Sequence, residues 1–177
     1  GRVLSIFTNR LENTIPPPIV AFVFASIMWA MTLLTPALTQ NPANGVSPDL
    51  FYTSTATLAV IRLIAICSFL GLGIIAAIAG VISFRQARTT VNPLKPESTS
   101  ALVTSGMYKF SRNPMYLGMA LALCAWAVYL ASLCSVLGII GFMLYMQRFQ
   151  IAPEERALEV IFGQTFIDYR KRVRPWI

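Results

Sequence analysis

Long apolar blocks constrain the fold of this chain more than any other feature of its sequence. Four blocks cover about residues 15 or 19 to 34, 58 to 84, 115 to 130 and 132 to 149. An α-helix rises 1.5 Å per residue, so blocks of about 16 to 27 residues extend about 24 to 40 Å, against a hydrocarbon core of about 30 Å. Charged residues make up only 12% of the chain, too few to cover a soluble protein of this size. We therefore predict an all-α integral membrane protein with four transmembrane helices.

The last two blocks are nearly contiguous and predict a C-terminal helical hairpin. A single helix of about 35 residues would exceed the thickness of a bilayer, so we expect a tight turn at Ala131-Ser132. After the hairpin, apolar residues with helical spacing precede a basic end, which is typical of a cytoplasmic amphipathic helix on the membrane surface. Residues 1–177 are treated as a single membrane domain, with 1–90 as scaffold spans and 91–177 as the half that carries function. The apolar positions of the amphipathic segment are Leu158, Ile161, Phe162, Phe166 and Tyr169.

The distribution of basic residues predicts the orientation of the spans. Of the 14 Lys and Arg residues, all but Arg62 fall on one side of a four-span arrangement, and the loop from 35 to 57 contains none. By the positive-inside rule, both termini and the loop from 85 to 112 are cytoplasmic. The formal net charge of +7 therefore reflects topology, and we predict no nucleic-acid partner. Arg62 lies about one turn inside the non-cytoplasmic end of its span and either snorkels to the interface or has a pairing or substrate role.

Residues that commonly carry catalysis or bind metals are few. The sequence contains no histidine, which excludes histidine–zinc sites, Ser-His-Asp triads and histidine general bases. Its three cysteines, Cys67, Cys124 and Cys134, lie in separate apolar blocks and form no CxxC pair. We therefore predict neither a disulfide framework nor a metal site.

Polar side chains able to do chemistry concentrate in residues 92–118 and 150–177, which flank the hairpin and should meet at one membrane edge. In the first stretch, Asn113 is a favoured N-cap and Pro114 a favoured first helical residue. The free N–H groups of that turn and Arg112 predict an anion site, although ordinary helix initiation with Arg112 on a lipid phosphate is the alternative. Tyr108 and Tyr116 flank the cap, either to cover a flat ring or as interfacial aromatic residues.

In the second stretch, Pro153 followed by Glu154 and Glu155 predicts another helix start, for which compensation of the helix dipole is explanation enough. Adjacent helical residues point about 100° apart, so one carboxylate can instead face a site and bind a cationic or hydroxyl-bearing ligand. Together, the anion site, the carboxylates and the aromatic rings suit S-adenosylmethionine. They suit a dinucleotide such as NADPH less well, because its phosphates repel carboxylates.

The order of these motifs resembles a known superfamily. Gly106-x-Tyr108 precedes Ser111-Arg112-Asn113-Pro114-x-Tyr116-x-Gly118, an apolar hairpin, Glu154-Glu155-x-x-Leu158, Phe162-Gly163, Tyr169 and Val173-Arg174-Pro175-Trp176. From about residue 94 to the C-terminus, the pattern resembles the isoprenylcysteine carboxyl methyltransferase and phospholipid methyltransferase superfamily. It is most similar to the small prokaryotic isoprenylcysteine methyltransferase-like membrane proteins.

This resemblance implies an S-adenosyl-L-methionine-dependent methyltransferase in the inner membrane of a prokaryote. The cofactor would lie at the cytoplasmic face, with Arg112 and Glu155 as the catalytic residues. A lipophilic or lipidated acceptor, bearing a carboxylate, amine or hydroxyl group, would arrive from the lipid bilayer through a gap between spans. The residues that the resemblance implies for cofactor binding are Gly106, Tyr108, Arg112, Asn113, Pro114, Tyr116, Gly118, Glu154, Glu155 and Leu158.

Asn113 departs from the superfamily pattern, which has histidine between the arginine and the proline. Asparagine can donate a hydrogen bond but cannot act as a base near neutral pH. A carboxylate acceptor needs no base, whereas an amine or hydroxyl acceptor requires Glu154, Glu155 or Tyr108 to accept a proton. Two other functions stay open. One is an NADPH-dependent membrane reductase of the sterol or steroid type, in which a cysteine rather than Arg156 tends to follow the acidic pair, and the other is a small non-enzymatic membrane scaffold.

Overall fold

The computed structural model describes residues 12–34, 48–87 and 101–177, which are helical and contain no strand. Residues 35–47 of the predicted non-cytoplasmic loop and residues 92–100 of the first polar stretch lie outside the described residues. The helices are α1 (Pro17–Leu34), α2 (Pro48–Gln86), a 3-10 helix (Gly106–Lys109), α3 (Pro114–Leu130), α4 (Ser135–Met146), α5 (Ala152–Phe162) and α6 (Gln164–Arg172), with a π turn (Gln147–Ile151) between α4 and α5.

All four predicted apolar blocks form helices, and two stretches are long and apolar enough to cross a membrane. These are Thr55–Gln86 within α2 and Ser135–Phe162, which joins α4, the π turn and α5. Large apolar side chains are exposed along α1 and α2, among them Phe22, Ile61 and Ile75, as expected for surfaces that face lipid. The chain is therefore a membrane protein. Helices α1 and α3 are apolar but shorter, so a total of four spans stays a prediction.

The start of α2 differs from the sequence expectation. The apolar block predicts a span from residue 58, whereas the helix begins at Pro48, so part of the predicted loop is helical. Proline at the first helical position lacks only an N–H that has no intrahelical partner there, and its fixed φ suits the helix. A continuous apolar block locates the membrane-crossing part of a helix but not its polar extension.

The main apolar core lies between α1, α3, α4 and the π turn. Its residues come from the inward faces of these elements and exclude α2, which packs on the other side of α3. Helix α3 is thus the central helix of the described fold. The buried members of this core are Val20, Met28, Tyr116, Ala120, Leu123, Phe142, Met146 and Ile151.

The hairpin between α3 and α4 turns at the predicted place. Ala131 adopts a left-handed conformation with φ 50°, and its N–H donates to the carbonyl of Ala127. Arg62 of α2 reaches this end of α3 and donates from Nε to the carbonyl of Val128 at 2.9 Å and from Nη2 to that of Tyr129. Carbonyls in the last turn of a helix have no intrahelical partner, and a cation there complements the helix dipole. Of the two interpretations of Arg62, the structure supports pairing.

Replacing Arg62 with methionine should therefore destabilise the contact between α2 and the end of α3. Hydrogen bonds from a charged group to a carbonyl contribute about 1.5–3 kcal/mol, so we expect the free energy of unfolding in detergent to fall by about that amount. Arg62→Lys should lose only part of this free energy. The lysine ammonium can still donate to one carbonyl, but it lacks the planar guanidinium that reaches both. Thermal unfolding of the purified variants measures this, and equal stability of wild type and Arg62→Met would contradict it.

The predicted amphipathic segment consists of two short helices rather than one. Gly163, with φ 53°, separates α5 from α6. Phe166 and Tyr169 of α6 are buried against Leu158 and Phe162 of α5, so these apolar side chains contact each other. The position of the segment on the cytoplasmic leaflet stays a prediction from its basic last turn.

Candidate active site

Arg112 joins the two polar stretches. Its Nη2 lies 2.9 Å from Oε1 of Glu155, its Nη1 donates to the carbonyl of Arg170 at 3.2 Å, and its backbone N–H donates to the carbonyl of Arg174 at 3.0 Å. The Arg112 side chain is only 9% exposed and that of Glu155 16%. The predicted meeting of residues 92–118 with residues 150–177 is confirmed within the described residues.

The ion pair leaves hydrogen-bonding capacity unused. Although Arg112 and Glu155 are in contact, Nε of Arg112 and Oε1 of Glu155 are buried and have no hydrogen-bond partner among the described residues. The 2.9 Å contact is therefore an ion pair without hydrogen-bond geometry. Buried polar groups in native proteins are nearly always hydrogen-bonded, and an unpaired one calls for an explanation such as a ligand. Nε of Arg112 is thus a buried donor without a partner, and Oε1 of Glu155 keeps lone pairs beyond its contact with Nη2.

The electrostatics of Arg112 follow from its burial. Burial lowers the pKa of this guanidinium, whereas the charge of Glu155 raises it. Because the ordinary pKa of arginine lies above 12, the side chain stays protonated near neutral pH. The site therefore contains a fixed cation beside a carboxylate and can bind a ligand that carries both signs of charge.

The start of α3 is at the predicted residue, but the prediction that the Asn113 side chain caps it is wrong. Asn113 occupies the N-cap position and Pro114 the first turn, yet Asn113 makes no side-chain cap hydrogen bond. Its Nδ2 donates instead to the carbonyl of Pro175 at 3.0 Å, and Ser111 Oγ donates to the same carbonyl at 3.4 Å while accepting from the Asn113 N–H at 3.2 Å. Asn113 therefore connects the C-terminal segment to α3.

Tyr116 and Glu154 form a second pair. The hydroxyl of Tyr116, which is buried in α3, donates to Oε1 of Glu154 at 2.5 Å. The two neighbouring carboxylates thus have different partners, a neutral phenol for Glu154 and a guanidinium for Glu155. Tyr116, predicted as a ring cover or an interfacial aromatic, instead orients a carboxylate.

Tyr108 lies in the 3-10 helix and packs against Phe84 of α2, with ring centroids 5.2 Å apart. Its carbonyl accepts a hydrogen bond from the Tyr169 hydroxyl at 2.7 Å. Burial raises the pKa of Tyr108 well above its ordinary range, and the neighbouring Tyr169 and Glu154 raise it further. The Tyr108 phenol therefore stays protonated near neutral pH, which disfavours it as the proton acceptor among the three candidates.

Helix α5 begins at Ala152 with Pro153 in its first turn, as the sequence predicts, but no loop separates it from α4. The helix that starts at Ser135 continues through the π turn Gln147–Ile151 into α5, and Pro153 follows that turn inside a continuous helical path. Proline has no N–H, and a π turn already departs from the α-helical ladder, so the residue is tolerated. Glu154 and Glu155 thus follow a π turn, a feature that is frequent at functional sites.

Three other predicted site residues occupy packing positions. A Cβ at Gly106, whose φ is 60°, would lie 2.5 Å from Ser83 Oγ, and one at Gly118 would lie 2.7 Å from the carbonyl oxygen of Gly73. Leu158 packs beside Phe166 and does not contact the ion pair through any described contact. These residues support the elements around the site.

The C-terminal segment contributes backbone carbonyls for which the sequence predicts no role. The backbone carbonyls of Arg170, Arg174 and Pro175 accept hydrogen bonds from Arg112, Asn113 and Ser111. The closing Val-Arg-Pro-Trp motif was the available signal, but a sequence motif does not show which backbone atoms accept a hydrogen bond.

Comparison with known proteins assigns the family. A model of the phospholipid methyltransferase family matches residues 61–165, more than half of the chain. The chain belongs to the phospholipid methyltransferase family. The match to this phospholipid methyltransferase model begins within α2, earlier than the motifs indicated, and includes both Arg112 and Glu155. The predicted superfamily is confirmed.

Individual relatives cover parts of the chain. Protein-S-isoprenylcysteine O-methyltransferase B of Arabidopsis thaliana is 30% identical over 106 residues, 58% of this chain and 52% of that protein. Protein-S-isoprenylcysteine O-methyltransferase of Xenopus laevis is 36% identical over 76 residues, 41% of this chain and 25% of that protein. An uncharacterized protein of Haemophilus influenzae is 43% identical over 63 residues, 36% of this chain and 100% of that protein. The chain thus spans about half or less of the two named methyltransferases, and no solved structure gives a significant match.

Proposed function

We propose that this chain is an S-adenosyl-L-methionine-dependent methyltransferase that acts on a lipophilic acceptor, with the cofactor bound at Arg112 and Glu155. One observation carries the proposal: a buried ion pair whose Nε donor and Oε1 acceptor have no hydrogen-bond partner among the described residues. Membership of the phospholipid methyltransferase family and similarity to two isoprenylcysteine methyltransferases support it.

The available groups fit the charged parts of this cofactor. S-adenosylmethionine carries a carboxylate, which suits the Nε–H of Arg112, and an amine and ribose hydroxyls, which suit Oε1 of Glu155. When bound, it supplies a methyl group on a sulfonium. Arg112 and Glu155 bind and orient, while Tyr116 fixes the neighbouring Glu154 at 2.5 Å. Accurate positioning of the reacting groups is the main contribution that such residues make to rate.

We propose that the acceptor's apolar chain lies in the groove between α2 and α3. This groove has a volume of about 540 Å³ and is lined almost entirely by apolar residues of the two helices, including Leu70, Ile74, Met115 and Met119. Arg85 is the charged residue of the lining. A cation at the edge of an apolar groove favours an acceptor with an anionic group, and a carboxylate is ionised near neutral pH without a base. The protonated Tyr108 and the absence of histidine are consistent with such an acceptor.

The membrane and the orientation of the protein are part of the same proposal. We place the protein in a prokaryotic inner membrane because of its resemblance to the small prokaryotic methyltransferase-like proteins. We place both termini in the cytoplasm because the basic residues lie on one side of a four-span arrangement. The basic last turn of α6, with Arg170, Lys171 and Arg172, supports contact of the C-terminal segment with anionic headgroups. Residues 1–90 serve as scaffold and 91–177 bind the cofactor.

Titration with S-adenosylhomocysteine tests the cofactor site. Arg112→Ala and Glu155→Gln should each weaken binding about tenfold or more, because each removes one charge-assisted hydrogen bond worth about 1.5–3 kcal/mol. Isothermal calorimetry on detergent-purified protein measures the affinity. Asp168→Asn, which removes an exposed carboxylate of α6, is the matched control and should bind as wild type does. Unchanged affinity in both site variants refutes the site, and no binding to the wild type would favour a non-enzymatic scaffold.

The acceptor itself can be sought directly. Lipid extracts and membrane proteins incubated with the purified protein and labelled S-adenosylmethionine should yield a labelled product detectable by mass spectrometry. Substituting Arg85 with glutamine should reduce labelling of an anionic acceptor more than it reduces S-adenosylhomocysteine binding, because Arg85 lines the groove rather than the Arg112 site.

A further inference from the structure

The carboxylates of Glu154 and Glu155 follow a π turn, and their direction depends on it. The turn occupies Gln147–Ile151, between α4 and α5. A π turn contains one residue more than an α-helical turn, and one residue corresponds to about 100° of rotation about the helix axis. If the turn relaxed to α-helix, the side chains after it would rotate by about that angle relative to α4. Glu155 would then leave Arg112, and Glu154 would leave Tyr116.

The segment of residues 12–15, here called the strap, contacts this turn through its backbone. The N–H of Asn13 donates to the carbonyl of Phe149 at 2.9 Å. Phe149 lies four residues before Pro153, so its carbonyl is the one that proline deprives of an α-helical donor. The side chain of Gln150, which is fully buried, donates from Nε2 to the carbonyl of Ile15 at 2.7 Å. The strap therefore supplies a donor that the proline cannot, within the turn itself.

Glu12 bridges the two sides of the turn. Its Oε1 lies 2.8 Å from Nη1 of Arg148, which belongs to the π turn, and its Oε2 lies 2.5 Å from Nη2 of Arg156, which belongs to α5. The Glu12 side chain is 15% exposed, whereas Arg148 and Arg156 are 48% and 58% exposed, so solvent partly screens both ion pairs. Arg156 directly follows Glu155, so Glu12 contacts the first turns of the helix that carries the carboxylate of the candidate site.

We propose that the strap is a positioning element, in which Glu12 and Asn13 hold the π turn and so keep Glu154 and Glu155 directed at Tyr116 and Arg112. Asn13 has φ 52°, a conformation that asparagine and glycine tolerate better than other residues and that accompanies the contact of its N–H with Phe149. The consequence for cofactor binding rests on the proposed function, whereas the effect on the turn does not.

Hydrogen exchange of the full chain in detergent tests the effect on the turn. Glu12→Gln keeps the size of the side chain but removes the charge that both arginines share. The backbone amides of residues 148–152 and 154–156 should exchange about tenfold faster than in wild type, with no change in α3. Asn13→Gly keeps both the backbone N–H and access to a positive φ and should exchange as wild type does, and the exposed Asp168→Asn serves as the charge control.

A double-mutant cycle between Arg112→Met and Glu155→Met supplies a readout that a merely stabilising role would not change. The cycle measures how far the effects of the two changes on the midpoint of thermal unfolding depart from additivity. This coupling should fall to about half or less when the cycle is repeated in the Glu12→Gln background. Unchanged coupling, or exchange that accelerates equally in α3 and in the turn, overturns the proposal. If wild-type protein fails to bind S-adenosylhomocysteine, the proposed function fails, while the exchange and coupling results still decide the role of the strap.

Discussion

Replacing Gly118 with valine is expected to separate α2 from α3 and to lower the free energy of unfolding by about 3 kcal/mol, the upper end of the cost of overpacking. The helices approach so closely here that a Cβ on Gly118 would lie 2.7 Å from the carbonyl oxygen of Gly73 and 3.2 Å from Cβ of Ala77. The obstacle is partly backbone, which cannot move aside as a flexible side chain can. Small residues that allow close backbone approach are typical of helix interfaces in membranes.

Gly71 provides the matched control. It lies on α2 two residues before Gly73, and a Cβ built on it meets nothing within 4 Å. Gly71→Val should therefore leave stability close to that of wild type, although it makes the same glycine-to-valine change on one of the two helices that meet at this contact. Thermal unfolding in detergent, with expression yield as a second readout, compares the pair. Equal stability of Gly118→Val and Gly71→Val would show that the two helices do not depend on this contact.

The sequence was sufficient to predict the helices and the meeting of the two polar stretches. Apolar blocks longer than a turn or two can satisfy their backbone groups in a membrane only as helices, so the blocks determined the element type. The hairpin then required its flanks to return to one face, and the Arg112–Glu155 contact at 2.9 Å agrees with that topology. Both predictions depend on the length and order of the apolar segments, which can be read from a single sequence.

Local motifs were a poorer guide because each admits more than one geometry. Pro153 followed by two glutamates satisfies the pattern of a helix start, yet a helix can also continue through proline when a π turn and an outside donor replace the missing bond. That donor is the N–H of Asn13, which is distant in sequence from Phe149. Asn113 likewise is a residue type that favours the N-cap position, but its side-chain amide donates to the carbonyl of Pro175. Neither tertiary partner can be identified from the motif.

The resemblance identified residues without distinguishing their roles. It implied that Gly106, Gly118 and Leu158 bind the cofactor together with Arg112 and Glu155. In the structure these three residues occupy packing positions, and their contact with the cofactor stays a prediction. A motif contains residues that bind a ligand together with residues that hold the backbone in place. The close approaches to Ser83 and Gly73, which only the structure gives, identify a packing role for Gly106 and Gly118.

Replacing Arg112 and Glu155 together with methionine is expected to separate stability from ligand binding. Each single variant leaves one charge buried without its partner, which typically costs about 3–5 kcal/mol, whereas two apolar side chains of similar volume often restore most of that loss. The double variant should therefore recover to within about 1–2 kcal/mol of wild type, the remainder being the lost hydrogen bond to the carbonyl of Arg170. Binding of S-adenosylhomocysteine should be lost in both single variants and in the double variant.

Chemical unfolding and calorimetry on the same preparations measure the two quantities. A pair kept only for structure predicts that binding returns with stability, because nothing else at the site would have changed. A pair that also binds ligand predicts a stable protein without affinity, since methionine offers neither the Nε–H donor nor the Oε1 acceptor. Because the stable double variant removes misfolding as an explanation for lost affinity, binding at wild-type strength in that protein would exclude Arg112 and Glu155 from the cofactor site.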